Sequence, residues 1–356
     1  MTKGRGALVF RAGPGALADV RRRGFAIERL GTIAGASGGA KWLVLSQLDR
    51  VMATQVLPKV SGPLHLVGSS IGAWRFACYA QADPLAAIER FEEAYLSQSY
   101  SARPDVAEIT AKSREILDVL LGADGAAQIV DHPACRLHVM TVRSRRITAS
   151  DRRLPLATAL ALAAAGNIIS RRALGLFFAR ALFYDARDLP PFYNAPGFPL
   201  HRIPLDAHNL PQAVLASGAI PLVLAGVRNI AGAPPGTYRD GGVIDYHLDL
   251  PLSDPDRLTL FPHFFDRLVP GWFDKRLRYR RHSPDALDRT ILVCPSPEFI
   301  ERLPHGKVPD RRDFLDFPPA ERERNWRRTV GLCRELADEF AEVLTGDELA
   351  ARLQPL

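Results

Sequence analysis

Two short stretches constrain the fold of this chain more than anything else in its 356 residues. "TIAGASGGAKW", residues 32–42, and "PLHLVGSSIGAWRF", residues 63–76, each run from an apolar segment through a Gly-x-Ser-x-Gly turn into a helical segment. The turns are Gly35-Ala36-Ser37-Gly38-Gly39 and Gly68-Ser69-Ser70-Ile71-Gly72. A serine on a sharp strand-to-helix turn has its hydroxyl exposed at a helix N-terminus, whose partial positive charge helps to stabilise an anion. Both serines have this local setting of a nucleophile, and one chain is expected to use only one of them.

The flanks of the turns predict an α/β fold. "ALVFRA" (7–12) is strand-like and meets Gly13-Pro14-Gly15 and a short helix; "LGTIAGA" (30–36) and "LHLVG" (64–68) are further strands. Residues 40–56 and the run from Ala73 read as helices. This alternation predicts a three-layer α/β/α arrangement around a mostly parallel, doubly wound sheet, with each Gly-rich turn at the carboxyl end of a strand. Residues 83–125 read helical, with Asp83 as N-cap and Pro84 at the first helical position. Residues 135–145 read as a strand. Residues 155–184 are the most apolar section, and the 17 uncharged residues from Leu154 to Ser170 reach only the lower limit of a membrane span. Their small residues and the Gly166-Asn167 pair predict a buried helix pair. The alternative is a lipid-facing cap with Arg171, Arg172 and Arg180 at an interface. From residue 200 the pattern is loops and short strands, and Pro318–Leu353 reads as one charged amphipathic helix packed on the rest. The expected organisation is therefore an α/β domain over 1–310, with a helical insertion at about 83–185, and a helical extension over 311–356.

Composition narrows the class of protein. Apolar residues at 47% and charged residues at 24% predict a globular chain rather than a disordered one. Cys78, Cys135, Cys294 and Cys333 form no Cys-x-x-Cys, so neither a disulfide framework nor a zinc site is expected, and a reducing cytoplasm fits best. The apolar stretch at the N-terminus is too short for a signal peptide. The net charge of +7 is gathered in clusters at 21–23, 143–146, 171–172 and 274–282, which suit solvated faces or an anionic membrane surface. No nucleic-acid module accompanies them, and nucleic acid is not an expected partner.

An oxyanion hole separates the two serines. It needs a second Gly-rich loop whose backbone N–H groups face the developing negative charge. If the loop and the nucleophile end neighbouring strands of one β-α-β unit, they lie roughly 30 residues apart. Gly38 and Ser70 are 32 positions apart, with a full helix and strand between them; Gly13 and Ser37 are 24 apart, with a shorter helix. The spacing favours Ser70 with the loop at Gly38, Gly39 and Ala40. Ser37 with Gly13-Pro14-Gly15 is the alternative.

Three blocks then resemble the patatin-like phospholipases in family order. Ser37-Gly38-Gly39-Ala40-Lys41 is similar to their Gly-Gly-x-Lys/Arg oxyanion loop. "GSSIGAWRFACYAQADPLAAIERFEEAY" is similar to their nucleophile elbow and the two helices after it. Ala216-Ser217-Gly218-Ala219-Ile220-Pro221 followed by Asp240-Gly241-Gly242 resembles the block whose aspartate partners the serine. The chain departs from the pattern at Ser37 and Trp42, where the family usually has glycines, and in the extra strand-turn-helix of residues 7–24.

The resemblance implies a patatin-like fold and a Ser–Asp dyad, Ser70 with Asp240, supported by Gly68, Gly72, Gly241 and Gly242. Lys41 would orient the loop or add positive charge. It also implies an acyl-lipid ester as substrate, cleaved through an acyl-enzyme without metal or cofactor. An aspartate doing this work needs a partly desolvated pocket, because a free carboxylate near pKa 3.9 is a poor base at neutral pH. Two other readings stay open on the residues alone. One is an α/β-hydrolase with a Ser–Asp–His triad, the histidine being His247, His263 or His305. The other is a non-catalytic phosphate or nucleotide binder using the Gly-rich turns at helix N-termini.

Overall fold

The computed structural model describes residues 6–60, 62–345 and 348–356. Its strands are β1 (Leu8–Ala12), β2 (Leu30–Gly35), β3 (Leu64–Ser69), β4 (Cys135–Ser144), β5 (Phe178–Tyr184), β6 (Leu200–Pro204), β7 (Val227–Arg228), β8 (Thr237–Asp240), β9 (Leu258–Pro262), β10 (Thr290–Pro295) and β11 (Gln354–Pro355). The main helices are α1 (Pro14–Arg23), α2 (Ser46–Val51), α3 (Ile71–Tyr79), α4 (Pro84–Leu96), α5 (Val106–Leu121), α6 (Gly125–Asp131), α7 (Arg153–Ile169) and α8 (Leu210–Ser217). Together they form the expected three-layer α/β/α architecture around one sheet in the order β11-β1-β10-β9-β2-β3-β4-β5-β6. The run β10-β9-β2-β3-β4 is parallel throughout. Every residue of β2, β3, β9 and β10 is buried, as strands covered by helices on both faces must be.

Several local expectations are corrected. β1 is not the neighbour of β2. It pairs antiparallel with β10, so its carboxyl end and the Gly13 turn lie at the amino end of β10, where Gly13 N–H donates to Thr290 O. Residues 155–184 are not a helix pair: α7 and a 3₁₀ turn (Arg171–Leu176) are followed by β5, antiparallel to β4. A short, mostly apolar segment fits a buried strand as well as a buried helix, and at 178–184 the strand wins. The stretch 83–185 thus contributes β4 and β5 to the sheet as well as helices. Arg180 is no interface residue; it is buried on β5 and makes a bidentate ion pair with Asp245, 2.7 Å at each bond. The run at 213–217 is helical, in α8, rather than a short strand.

The stretch 40–56 is also broken. A 3₁₀ turn (Gly39–Val44) precedes α2 and a π-helical turn (Met52–Val56) follows it. The tail comprises Pro319–Leu332, Arg334–Thr345 and Leu349–Arg352 rather than one helix. Its Trp326 stacks on Tyr95 of α4 at 5.9 Å, and β11 pairs with β1.

Candidate active site

Two strands that run along the same edge of β4 bring the site together. β3 pairs with β4 up to Ser69 opposite Met140; β8 pairs with β4 from Asp240 opposite Thr141. These are consecutive positions of β4, so the ends of β3 and β8 meet head to head. Ser70 follows β3 and Asp240 closes β8, and Ser70 Oγ donates to Asp240 Oδ2 at 2.7 Å.

The turn at Ser70 is a strained one. Its backbone lies at φ +55°, ψ −127°, a region that costs a non-glycine residue on the order of 1–3 kcal/mol. Close packing fixes it there. A Cβ on Gly72 would lie 2.1 Å from Gly35 O, and one on Gly68 would lie 2.3 Å from Ala73 N. Only glycine lets the first turn of α3 press this tightly against the ends of β2 and β3. The Ser70 N–H donates to Ser217 Oγ at 2.8 Å, and Ser217 Oγ donates to Met140 O at 2.7 Å. Ser217 lies inside the Ala-Ser-x-Ala-x-Pro block, but its part in holding the turn is visible only once α8 is seen against β4.

The loop after β2 lines the same cleft. Ser37 N–H donates to Tyr246 O at 2.8 Å, which ties the loop to the segment after Asp240-Gly241-Gly242. Gly39 sits at φ +56° with nothing within 4 Å of a Cβ, a left-handed position that favours glycine for its backbone alone. Gly39 and Ala40 open the 3₁₀ turn, so the turn itself offers their N–H groups no partner. Ala40 is buried in the core and does not line the cleft, whereas Gly38, Gly39 and Lys41 do.

The cleft holds about 190 Å³. Ile220, Pro221 and Val243 give it an apolar side, while Trp272, Lys275, Asp310, Arg311 and Arg312 form a mainly cationic side. Lys41 Nζ is 4.0 Å from Asp310 Oδ2, and Lys275 Nζ lies 3.9 Å from the centre of the Tyr246 ring. The cationic side was missed in the sequence because Lys275 and Arg311 sit in charged runs that read as solvated surface.

Electrostatics follow from this packing. Burial pushes the Asp240 carboxyl up to about 6, against the opposing effects of the hydrogen bonds from Ser70 Oγ and from Gly242 N–H, the latter at 2.7 Å. Withdrawal from water, with Lys41 and Arg311 nearby, brings Lys275 down to about 8. Burial lowers Lys41 as well.

The other candidates are not assembled. Ser37 Oγ donates to Ser69 Oγ at 2.9 Å, and Gly13-Pro14-Gly15, its proposed oxyanion loop, lies beside the amino end of β10, two strands away from β2 and at the opposite end of the parallel strands. None of the three candidate histidines lines the cleft. His247 Nδ1 accepts from Val269 N–H, His263 bonds to the Phe265 backbone, and His305 stacks on Phe317. Burial holds His263 near 3 and His247 well below the usual imidazole range.

The sequence profile of the patatin-like phospholipases matches residues 35–247, well over half of the chain and all three blocks. The chain belongs to the patatin-like phospholipase family. At the level of that family it is a lipid acyl hydrolase. The matched region of this patatin-like chain stops before Trp272, Lys275 and Arg311, so the cationic side of the cleft comes from outside it.

Among solved structures, VipD from Legionella pneumophila is similar over 94% of this chain and 71% of that one, at 14% identity and a TM-score of 0.34. Human GIVD cytosolic phospholipase A2, solved with methyl γ-linolenyl fluorophosphonate inhibitor and terbium chloride, is similar over 95% of this chain at 12% identity and a TM-score of 0.34. The aligned part covers 62% of that human chain, less than two thirds of its length. No curated protein matches the chain.

Proposed function

We propose that this patatin-like phospholipase hydrolyses lipid acyl esters with Ser70 as nucleophile and Asp240 as the sole general base. The 2.7 Å bond from Ser70 Oγ to Asp240 Oδ2, made at a helix N-terminus, carries the assignment. Asp240 takes the Ser70 proton as Oγ attacks the ester carbonyl carbon. The carbonyl oxygen, now negative, is held by the N–H groups of Gly38 and Gly39, the two residues of the expected loop trio that line the cleft. Asp240 returns the proton to the departing alcohol and leaves an acyl-serine. A water gives its proton to Asp240 and attacks that acyl group; the fatty acid leaves and Ser70 recovers its proton. A carboxyl near pKa 6 is still ionised at neutral pH yet is a stronger base than a free aspartate. Gly68 and Gly72 support the nucleophile turn, Gly241 and Gly242 support the aspartate, and Lys41 anchors the oxyanion loop through Asp310. The enzyme works in the cytoplasm, peripherally at an anionic membrane, and the substrate's headgroup faces Lys275 and Arg311.

Kinetics on a water-soluble chromogenic ester and on phospholipid vesicles test the assignment. Ser70→Ala and Asp240→Asn are each expected to lower kcat by at least about 10³-fold, and Ser37→Ala by less than about tenfold. Activity that survives Ser70→Ala but not Ser37→Ala would overturn it.

A further inference from the structure

We infer that the outer face of α7, with the arginines at its two ends, is the surface by which this protein docks on an anionic lipid bilayer. The inference rests on the lipid-hydrolase reading for its choice of partner, and on the following geometry for its location.

α7 is a 17-residue helix whose two sides differ in what they meet but not in polarity. Its inner side, Leu156, Leu160 and Ala163, packs with Val142, Phe178, Val243 and Ile244 into a small core of its own. The opposite side is equally apolar and faces solvent: Leu154 is 81% exposed, Leu162 54%, Ile168 60% and Ile169 89%. These positions recur at helical spacing with Pro155, Thr158, Ala161 and Ala165, also exposed, so that no charge interrupts the stripe. Leu176, 62% exposed, extends it through the following turn. A soluble helix ordinarily carries polar residues on this side, and a continuous exposed apolar stripe marks a surface that something covers.

Charge selects the partner. Exposed Arg152 and Arg153 stand at the start of α7, and exposed Arg172 just past its end. Arg276, Arg278 and Arg281 are exposed on a segment fastened to the same end, where Tyr279 Oη donates to Ile168 O at 3.1 Å and Arg280 donates to Asn167 O at 2.7 Å. An exposed apolar helix face flanked by arginines combines burial of apolar side chains at an interface with attraction to anionic headgroups. The same face is joined to the cleft. Asn167 Nδ2 donates to Asp274 Oδ1 at 2.8 Å, between Trp272 and Lys275 on the cleft wall, and Arg171 donates to Ile244 O, four residues after Asp240.

Flotation of the full-length protein with vesicles of dialkyl-ether phosphatidylglycerol and phosphatidylcholine tests this. Ether lipids offer no ester to cleave, so binding is read independently of whether Ser70 is the nucleophile. The wild type is expected to float with mixed anionic vesicles and at least about tenfold less with phosphatidylcholine alone. Leu162→Glu/Ile169→Glu is expected to lose at least about tenfold in binding at unchanged melting temperature, because both side chains already face solvent. Arg172→Gln/Arg276→Gln is expected to lose the preference for anionic vesicles. A wild type that does not float, or a glutamate variant that floats as well as wild type, overturns the inference. So does a dimer in sedimentation that the glutamate variant dissociates, because the face would then be an interface between copies.

Discussion

Asp240 carries two opposed demands at the scale of a single residue. Its pKa near 6 means that the folded protein holds a proton which the unfolded chain, titrating near 3.9, has already released. Stability conferred by that proton is present below pH 4 and lost as the pH rises through about 6; under the proposed dyad, activity needs the ionised form and appears over the same range. kcat/KM on a soluble ester is therefore expected to rise about tenfold per pH unit below 6 and to level off above it. Asp240→Asn keeps an acceptor for the Gly242 N–H but carries no charge. It is expected to unfold at a higher temperature than wild type at pH 7–8, by the equivalent of about 1–3 kcal/mol, while being inactive. The gap should close towards pH 4. An Asp240→Asn variant less stable than wild type at pH 8 would mean that burial does not oppose the charge.

At the scale of elements, the turn that carries Ser70 depends on backbone contact between α3 and β2. Gly72→Ala forces a Cβ against the Gly35 carbonyl, which cannot rotate away, so α3 must shift and carry Ser70 with it. The expected result is a loss of about 1–3 kcal/mol in denaturant melts together with a loss of activity larger than the fraction unfolded explains. Wild-type stability and rate would contradict it. This turn was legible in the sequence because strand, glycine turn and helix are contiguous there. The same holds for the loop after β2 and for Asp240-Gly241-Gly242. The pairing of β1 was not legible, since its partner lies some 280 residues further on and local alternation says nothing of it. β5 was hidden because its apolar residues do not alternate with polar ones and fit a buried helix equally well. The burial of Arg180, which the alternative reading put at an interface, was not legible because the partner that neutralises it, Asp245, is distant in sequence.

At the scale of the whole molecule, the cleft is closed by residues that no motif announces. We propose that the segment 311–356 is part of one folding unit with the α/β domain rather than an appendage. Trp326, Cys333, Leu336 and Phe340 are buried, and β11 extends the sheet beside β1. A chain ended at residue 310 would expose this apolar surface and lose Arg311 and Arg312 from the cleft. It is expected to lose cooperative thermal unfolding; a truncated chain that melts like wild type would refute this. The enzyme's chemistry is tested most directly by fluorophosphonate labelling followed by peptide mapping, which reports the nucleophile itself. The label is expected on Ser70, to persist in Ser37→Ala, to vanish in Ser70→Ala and to weaken in Asp240→Asn. Label on Ser37, or none on the folded protein, would contradict the Ser70–Asp240 dyad.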